Sequence, residues 1–148
     1  MLNSLSSEAL RFWHAAVQHR DVANKLLRLH ERGATSSIEA YHAVYIGGYA
    51  IECAFKALYL SRVPKAELNR VIAGQFRELG HNLLGCYDSV TARFGIEMPR
   101  STRWVFRKDV ASKWRVEMRF SSGKLRLSDA KRFLRAVDET ITWVEGVG

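Results

Sequence analysis

The stretch from Ile38 to Leu60 constrains this chain more than any other, because nearly every helical stripe along it is apolar. Val44, Gly48, Ile51, Phe55 and Leu58 make one row; Gly47, Ala50, Ala54 and Ala57 make a second; Ile46, Cys53 and Leu60 add a third. A helix that is hydrophobic all round has to be enclosed, by protein or by lipid. Glu52 and Lys56 interrupt it, so it falls short of the roughly 18–20 uncharged apolar residues that a membrane span needs. The expectation is a helix at the centre of a folded domain, with no membrane partner. Gly47 and Gly48 together forfeit about 2 kcal/mol of helix propensity, which predicts a neighbouring backbone packed closely at that turn.

The flanking segments read as helices too. Ser6-Ser7-Glu8 offers an N-cap and a first-turn acid for a helix running to about Arg32, where Gly33 ends it. Thr35-Ser36-Ser37 caps the central helix, and Pro64 opens a third over Lys65 to Leu79. Gly80 breaks the chain before a fourth helix, His81 to Phe94, which Gly95 closes. Ser128-Asp129 caps the last, with Ala130, Phe133, Leu134, Val137, Ile141 and Val144 on its apolar face. Between Pro99 and residue 127 the pattern alternates in places, notably over Trp114 to Phe120. A short extended segment around 114–120 is therefore expected there, followed by a turn at Ser121-Ser122-Gly123. The fold class is all-α: an up-and-down bundle of about five helices with one long basic loop, in a single domain over residues 1–148.

Charge is distributed unevenly. Residues 1–99 carry 11 Lys and Arg against 9 acids, and Arg100 to Arg135 carry 12 against 3, a net of +9 for that segment. The last thirteen residues hold three acids and no base. A local field of this sign favours a polyanion such as RNA, DNA or a nucleotide, or an acidic protein surface; a solvated basic face is the plainer alternative. Cys53 and Cys86 both fall in apolar helical patterns, without a C-x-x-C or a Cys/His cluster, which suits reduced thiols better than a disulfide or zinc. The N-terminal residues lack a basic and then apolar leader pattern, so a cytoplasmic location is expected.

Few residues are candidates for chemistry. Glu52 and Lys56 stand four apart with the acid first, the favourable order for a helical ion pair, on a stripe shared with Tyr45, Tyr49 and Tyr59. They read as a desolvated site facing a groove or as a buried pair that locks helices together, with His81 or a tyrosine completing it. The second reading is preferred, since this spacing is no reaction signature. His81 is either a catalytic base or a packing residue reaching Glu52. The other histidines, His14, His19, His30 and His42, find no acids or cysteines at ligand spacing, so no metal is expected, and no cofactor. In the basic segment Arg103, Arg107, Lys108, Lys113, Arg115 and Arg119 alternate with Trp104, Phe106, Trp114 and Phe120. Single-stranded RNA is held by such mixtures, with bases stacked on rings and phosphates on guanidinium groups. Inward packing is the expectation for the two tryptophans. No phosphate-loop, nucleophile-elbow, dinucleotide or zinc-protease motif is present.

Ala50-Ile51-Glu52-Cys53-Ala54-Phe55-Lys56-Ala57-Leu58-Tyr59-Leu60, followed by Leu79-Gly80-His81-Asn82-Leu83, resembles the HEPN family (higher eukaryotes and prokaryotes nucleotide-binding). With the flanking helices the resemblance covers most of the chain. It implies a helical bundle that forms a homodimer and works in RNA processing, defence or a toxin–antitoxin system. Many members are metal-independent ribonucleases with an arginine and a histidine separated by four to six residues. Here Arg77 and His81 have three residues between them, and Gly80 stands in the gap. The ribonuclease residues are therefore not carried over; Glu52, Lys56 and His81 are, as positions of the family pattern. The expected function is non-catalytic binding of RNA or a nucleotide. The alternatives are an atypical ribonuclease using His81, or a module that docks an acidic protein such as an antitoxin.

Overall fold

The computed structural model describes residues 5–30, 34–121 and 123–148. Gly33, the expected end of the first helix, and Ser122 of the expected turn lie outside the described residues, as do residues 1–4. The described chain is an all-α bundle of six helices joined by a two-stranded antiparallel clip.

Helix α1 (Ser7–Arg28) begins at Ser6, whose hydroxyl accepts the Ala9 amide. Helix α2 (Ile38–Arg62) begins at Ser37, whose hydroxyl accepts the Ala40 amide at 2.9 Å. Helix α3 covers 65–79 as a continuous run: a 3-10 turn at Lys65–Glu67, one α-turn at Leu68–Arg70, a π-helical turn at Val71–Gln75 and an α-turn at Phe76–Leu79. Helix α4 (Leu83–Phe94) starts two residues after the expected His81, because Asn82 is its N-cap and accepts the Gly85 amide. Helix α5 runs from Arg100 to Val105 and continues as a π-helical turn over Phe106–Ala111. Helix α6 (Leu127–Val147) starts one residue before the expected Ser128 cap; Arg126 holds the cap position without a side-chain bond.

The segment expected as a long loop is thus helical through Ala111. The extended segment expected around 114–120 is not formed. Arg115 has extended backbone (φ −141°, ψ 140°), and Val116–Phe120 then closes into a 3-10 turn. A strand needs a neighbour for its amides, and the available pairing lies elsewhere. Strand β1 (Ser36–Ser37) pairs with β2 (Leu125–Arg126), Ser36 opposite Arg126 and Ser37 opposite Leu125. The Leu127 amide adds a bond to the Thr35 carbonyl at 2.9 Å. The clip brings the starts of α2 and α6 together, and Gly47 against Leu134 followed by Arg62 on the Val147 carbonyl shows that the two helices run in the same direction.

Helix α2 is enclosed by α1, α4 and α6. Ala40, Ala43, Ala50, Ile51 and Ala54 have no measurable exposure, which is how a helix apolar on every stripe must end in water. On the α4 and α5 side the filling is aromatic: Phe55, Tyr87 and Phe106 have ring centroids 5.3 to 5.9 Å apart. The Tyr87 hydroxyl, inside that cluster, accepts the Met98 amide at 3.2 Å. Among the described residues no helix is long and apolar enough to cross a membrane.

The Gly47-Gly48 turn receives side chains, where the sequence predicted a backbone. A Cβ on Gly47 would stand 2.8 Å from Leu134 of α6, and one on Gly48 would stand 2.0 Å from the Trp114 indole nitrogen. Trp114, 3% exposed, lies in the notch that Gly48 leaves and donates its indole N–H to the Tyr45 carbonyl at 2.9 Å. That contact ties the chain just after α5 to the central helix.

Candidate functional site

The site is assembled where three chain segments meet over the middle of α2. Glu52 and Lys56 lie one turn apart, and Lys56 Nζ donates to Glu52 Oε1 at 2.6 Å. Both are buried, with side chains 7% and 10% exposed. Lys56 also donates to the Gly80 carbonyl at 3.3 Å and stands 5.5 Å from the Phe76 ring. The second carboxylate oxygen of Glu52 accepts from His81 Nδ1 at 2.8 Å. Every polar atom of the pair is therefore matched, the condition for carrying two charges inside a protein.

Gly80 makes this meeting possible. Its backbone (φ 54°, ψ −123°) falls in a region open to glycine and closed to residues with a Cβ. The chain reverses there, so α3 ends and His81 is laid across α2 before Asn82 starts α4. An ionised carboxylate only accepts hydrogen bonds, so its bond to Nδ1 selects the tautomer with the proton on that nitrogen. In the neutral ring that leaves Nε2 as the acceptor, on a side chain 41% exposed.

Aromatic rings pack beside Glu52 and His81. Tyr49 meets His81, Trp114 and Tyr45 edge to face, at centroid distances of 5.6, 5.3 and 5.1 Å, and its hydroxyl shares a hydrogen bond with that of Tyr45. Burial, then the Tyr45 bond, pushes the Tyr49 phenol up to about 12, with the Arg119 charge working against them. His19, from α1, also packs against Tyr49, ring centroids 6.1 Å apart. Burial holds its imidazole below the ordinary value, and the Glu52 charge opposes that shift. Burial likewise pushes the thiols of Cys53 and Cys86 up to about 11 and 12, so neither is a thiolate near neutral pH.

His81 opens onto a groove of about 480 Å³, walled by Leu83 and Leu84 of α4 on one side and by Trp114, Arg115 and Val116 on the other. Arg115 is exposed, and its guanidinium is held by the carbonyls of Ala111 and Trp114. The groove therefore pairs an imidazole acceptor with a guanidinium, and its volume suits a nucleotide-sized ligand.

The six basic residues singled out from the sequence do not converge. Arg115 lines the groove, and Arg119 lies close enough for its charge to act on Tyr49, stacked 4.5 Å from the exposed Phe120 ring. Arg103 is tied to Glu97 at 2.7 Å, Arg107 to Asp88 at 3.6 Å and Lys113 to the buried Asp109 at 3.5 Å. Lys108 rests over Trp104, 4.3 Å from its ring centre. The two tryptophans also part: Trp114 packs inward as expected, whereas Trp104 stands 57% exposed. Sequence reasoning placed Tyr49 on the stripe of Glu52 and Lys56 but did not bring Trp114 and His19 there, since each comes from another segment. The adjacent glycines 47 and 48 were the available signal that a large side chain would land there. Compared with protein-family models, with curated proteins and with solved structures, the chain gives no match in any of the three.

Proposed function

We propose that this chain is a HEPN-like helical protein that binds RNA or a nucleotide without transforming it, using the groove between His81 and the Trp114–Phe120 segment. The observation that supports the reading is Arg115. It belongs to the one segment with a strong positive excess, has no carboxylate partner among the described residues, and shares a groove with an imidazole held in place by Glu52. Phosphate oxygens are the ligand atoms the guanidinium recognises, and a ribose hydroxyl or a base N–H is what an imidazole acceptor takes. Arg119, similarly without an acid among the described residues, extends the charge toward Tyr49.

The Arg115→Ala/Arg119→Ala variant is expected to bind single-stranded RNA more weakly and with a shallower dependence on salt, by about 0.7 in log–log slope per lost phosphate contact. Unchanged affinity, or no RNA binding by the wild type at low salt, overturns the reading. So does co-purification with a stoichiometric acidic protein and no nucleic acid.

A second reading draws on the Glu52–His81 bond. With Nδ1 engaged by a carboxylate, Nε2 is placed as a base that could take a proton from a ribose 2′-hydroxyl, while Arg115 meets the phosphate. RNA cleavage abolished by His81→Ala in a still-folded protein would establish it. RNA left intact by the wild type refutes it and leaves the binding reading standing.

A further inference from the structure

Helix α5 carries a second feature that the groove does not use. Trp104 stands 57% exposed where inward packing was expected. Exposing an indole forfeits burial that a neutral fold would take, so an outward tryptophan is itself informative. Lys108, one turn on, places Nζ 4.3 Å from the ring centre, and Arg100 lies one turn before. Neither has a carboxylate within ion-pair distance among the described residues, although Arg103 on the same short helix is tied to Glu97. Lys108 covers one side of the indole. Arg100, Ser101, Trp104 and Val105 bound a shallow concavity of about 630 Å³ that Lys108 does not line.

We propose that the Trp104 face of α5 is a stacking platform for an unpaired base of single-stranded nucleic acid, with Arg100 and Lys108 holding the flanking phosphates. The chemistry commits to this ligand. An open π-face accepts any base, and the cations at either end match a backbone that carries one negative charge per nucleotide. A protein partner of ordinary composition would leave Arg100 and Lys108 desolvated without acids. The inference rests on the RNA-binding reading of the groove, and extends it from one phosphate contact to a strand long enough to touch both sites.

The test measures anisotropy of a fluorescein-labelled single-stranded RNA of about 12 nucleotides, within the span of one such binding surface. Trp104→Leu keeps apolar bulk and removes the ring, and is expected to weaken binding by about 5- to 100-fold with the salt slope unchanged, while Trp104→Phe keeps most of the affinity. Lys108→Ala is expected to lower the slope by about 0.7. Because Trp104 is exposed, these variants should fold, and circular dichroism checks that they do. Wild-type affinity in Trp104→Leu overturns the platform. If Arg115→Ala/Arg119→Ala still weakens binding in that case, the groove reading survives; a wild type that binds no RNA removes both. Loss of self-association in Trp104→Leu, with RNA affinity kept, overturns the platform and makes this face a contact between copies of the chain.

Discussion

Gly48→Ala is expected to be far more damaging than an alanine in a helix should be, and to stop being so once Trp114 is gone. Replacing a helical glycine by alanine ordinarily stabilises by about 1 kcal/mol. Here the added methyl would stand 2.0 Å from Trp114 Nε1 and 2.1 Å from Cε2, atoms of a rigid ring system anchored to the Tyr45 carbonyl. No small shift absorbs that overlap, so the indole has to leave the notch. The cost then approaches that of Trp114→Ala itself, about 3–5 kcal/mol for a fully buried tryptophan, less the propensity gain. Gly48→Ala should therefore cost about 2–4 kcal/mol. The double variant should cost the same, because the indole is displaced in both and nothing remains to clash. Urea unfolding of the four proteins gives a coupling of about 3–5 kcal/mol if this is right. Additivity within about 0.5 kcal/mol would refute it and mean that the methyl and the indole do not compete for one space. Gly47→Ala is the internal control. Its nearest neighbour is the flexible end of Leu134, at 2.8 Å, so the loss should be much smaller.

Two further outcomes follow from the polar centre. Glu52→Leu leaves Lys56 buried without a carboxylate and should cost about 3–5 kcal/mol, whereas the Glu52→Leu/Lys56→Met pair should recover most of that; equal losses in chemical denaturation would show that the pair does not act as a unit. His19 supplies a pH dependence. Its folded value is held below the ordinary 6.5 by burial, so the unfolded chain takes up the proton first as pH falls. Its share of stability is present above about 6.5 and declines below it. His19→Gln should flatten that decline in pH-dependent unfolding, and an unaltered profile would exclude His19 as the source.

Much of the bundle was legible because helix signals are local. Ser6, Ser37, Gly80 and Gly95 sit at the boundaries that their capping or turn chemistry predicts, and the stripes of Ile38–Leu60 demanded a central position before any neighbour was known. The contact of Glu52 with His81 was also within reach, as one of two readings of the same residues. The stretch from Trp104 to Phe120 was not. Alternating apolar and basic residues satisfy a strand, a helix or a turn equally well, and the choice depends on what the backbone amides can pair with. The clip between Ser36–Ser37 and Leu125–Arg126, two residues a side, is too short to leave a hydrophobic period.

By itself, then, the sequence determined an all-α domain around one enclosed helix, an acid–base pair within it, and a concentration of positive charge between Arg100 and Arg135. Tertiary structure decided what those charges can do. Glu97, Asp88 and Asp109 neutralise three of the six basic residues that the sequence offered as equals. Trp114 goes into the Gly48 notch and sets Arg115 at the groove that His81 lines, while Trp104 turns outward under Lys108. The reason is physical: charge and ring chemistry belong to a residue, but pairing, burial and exposure belong to whatever the fold places within a few ångströms of it.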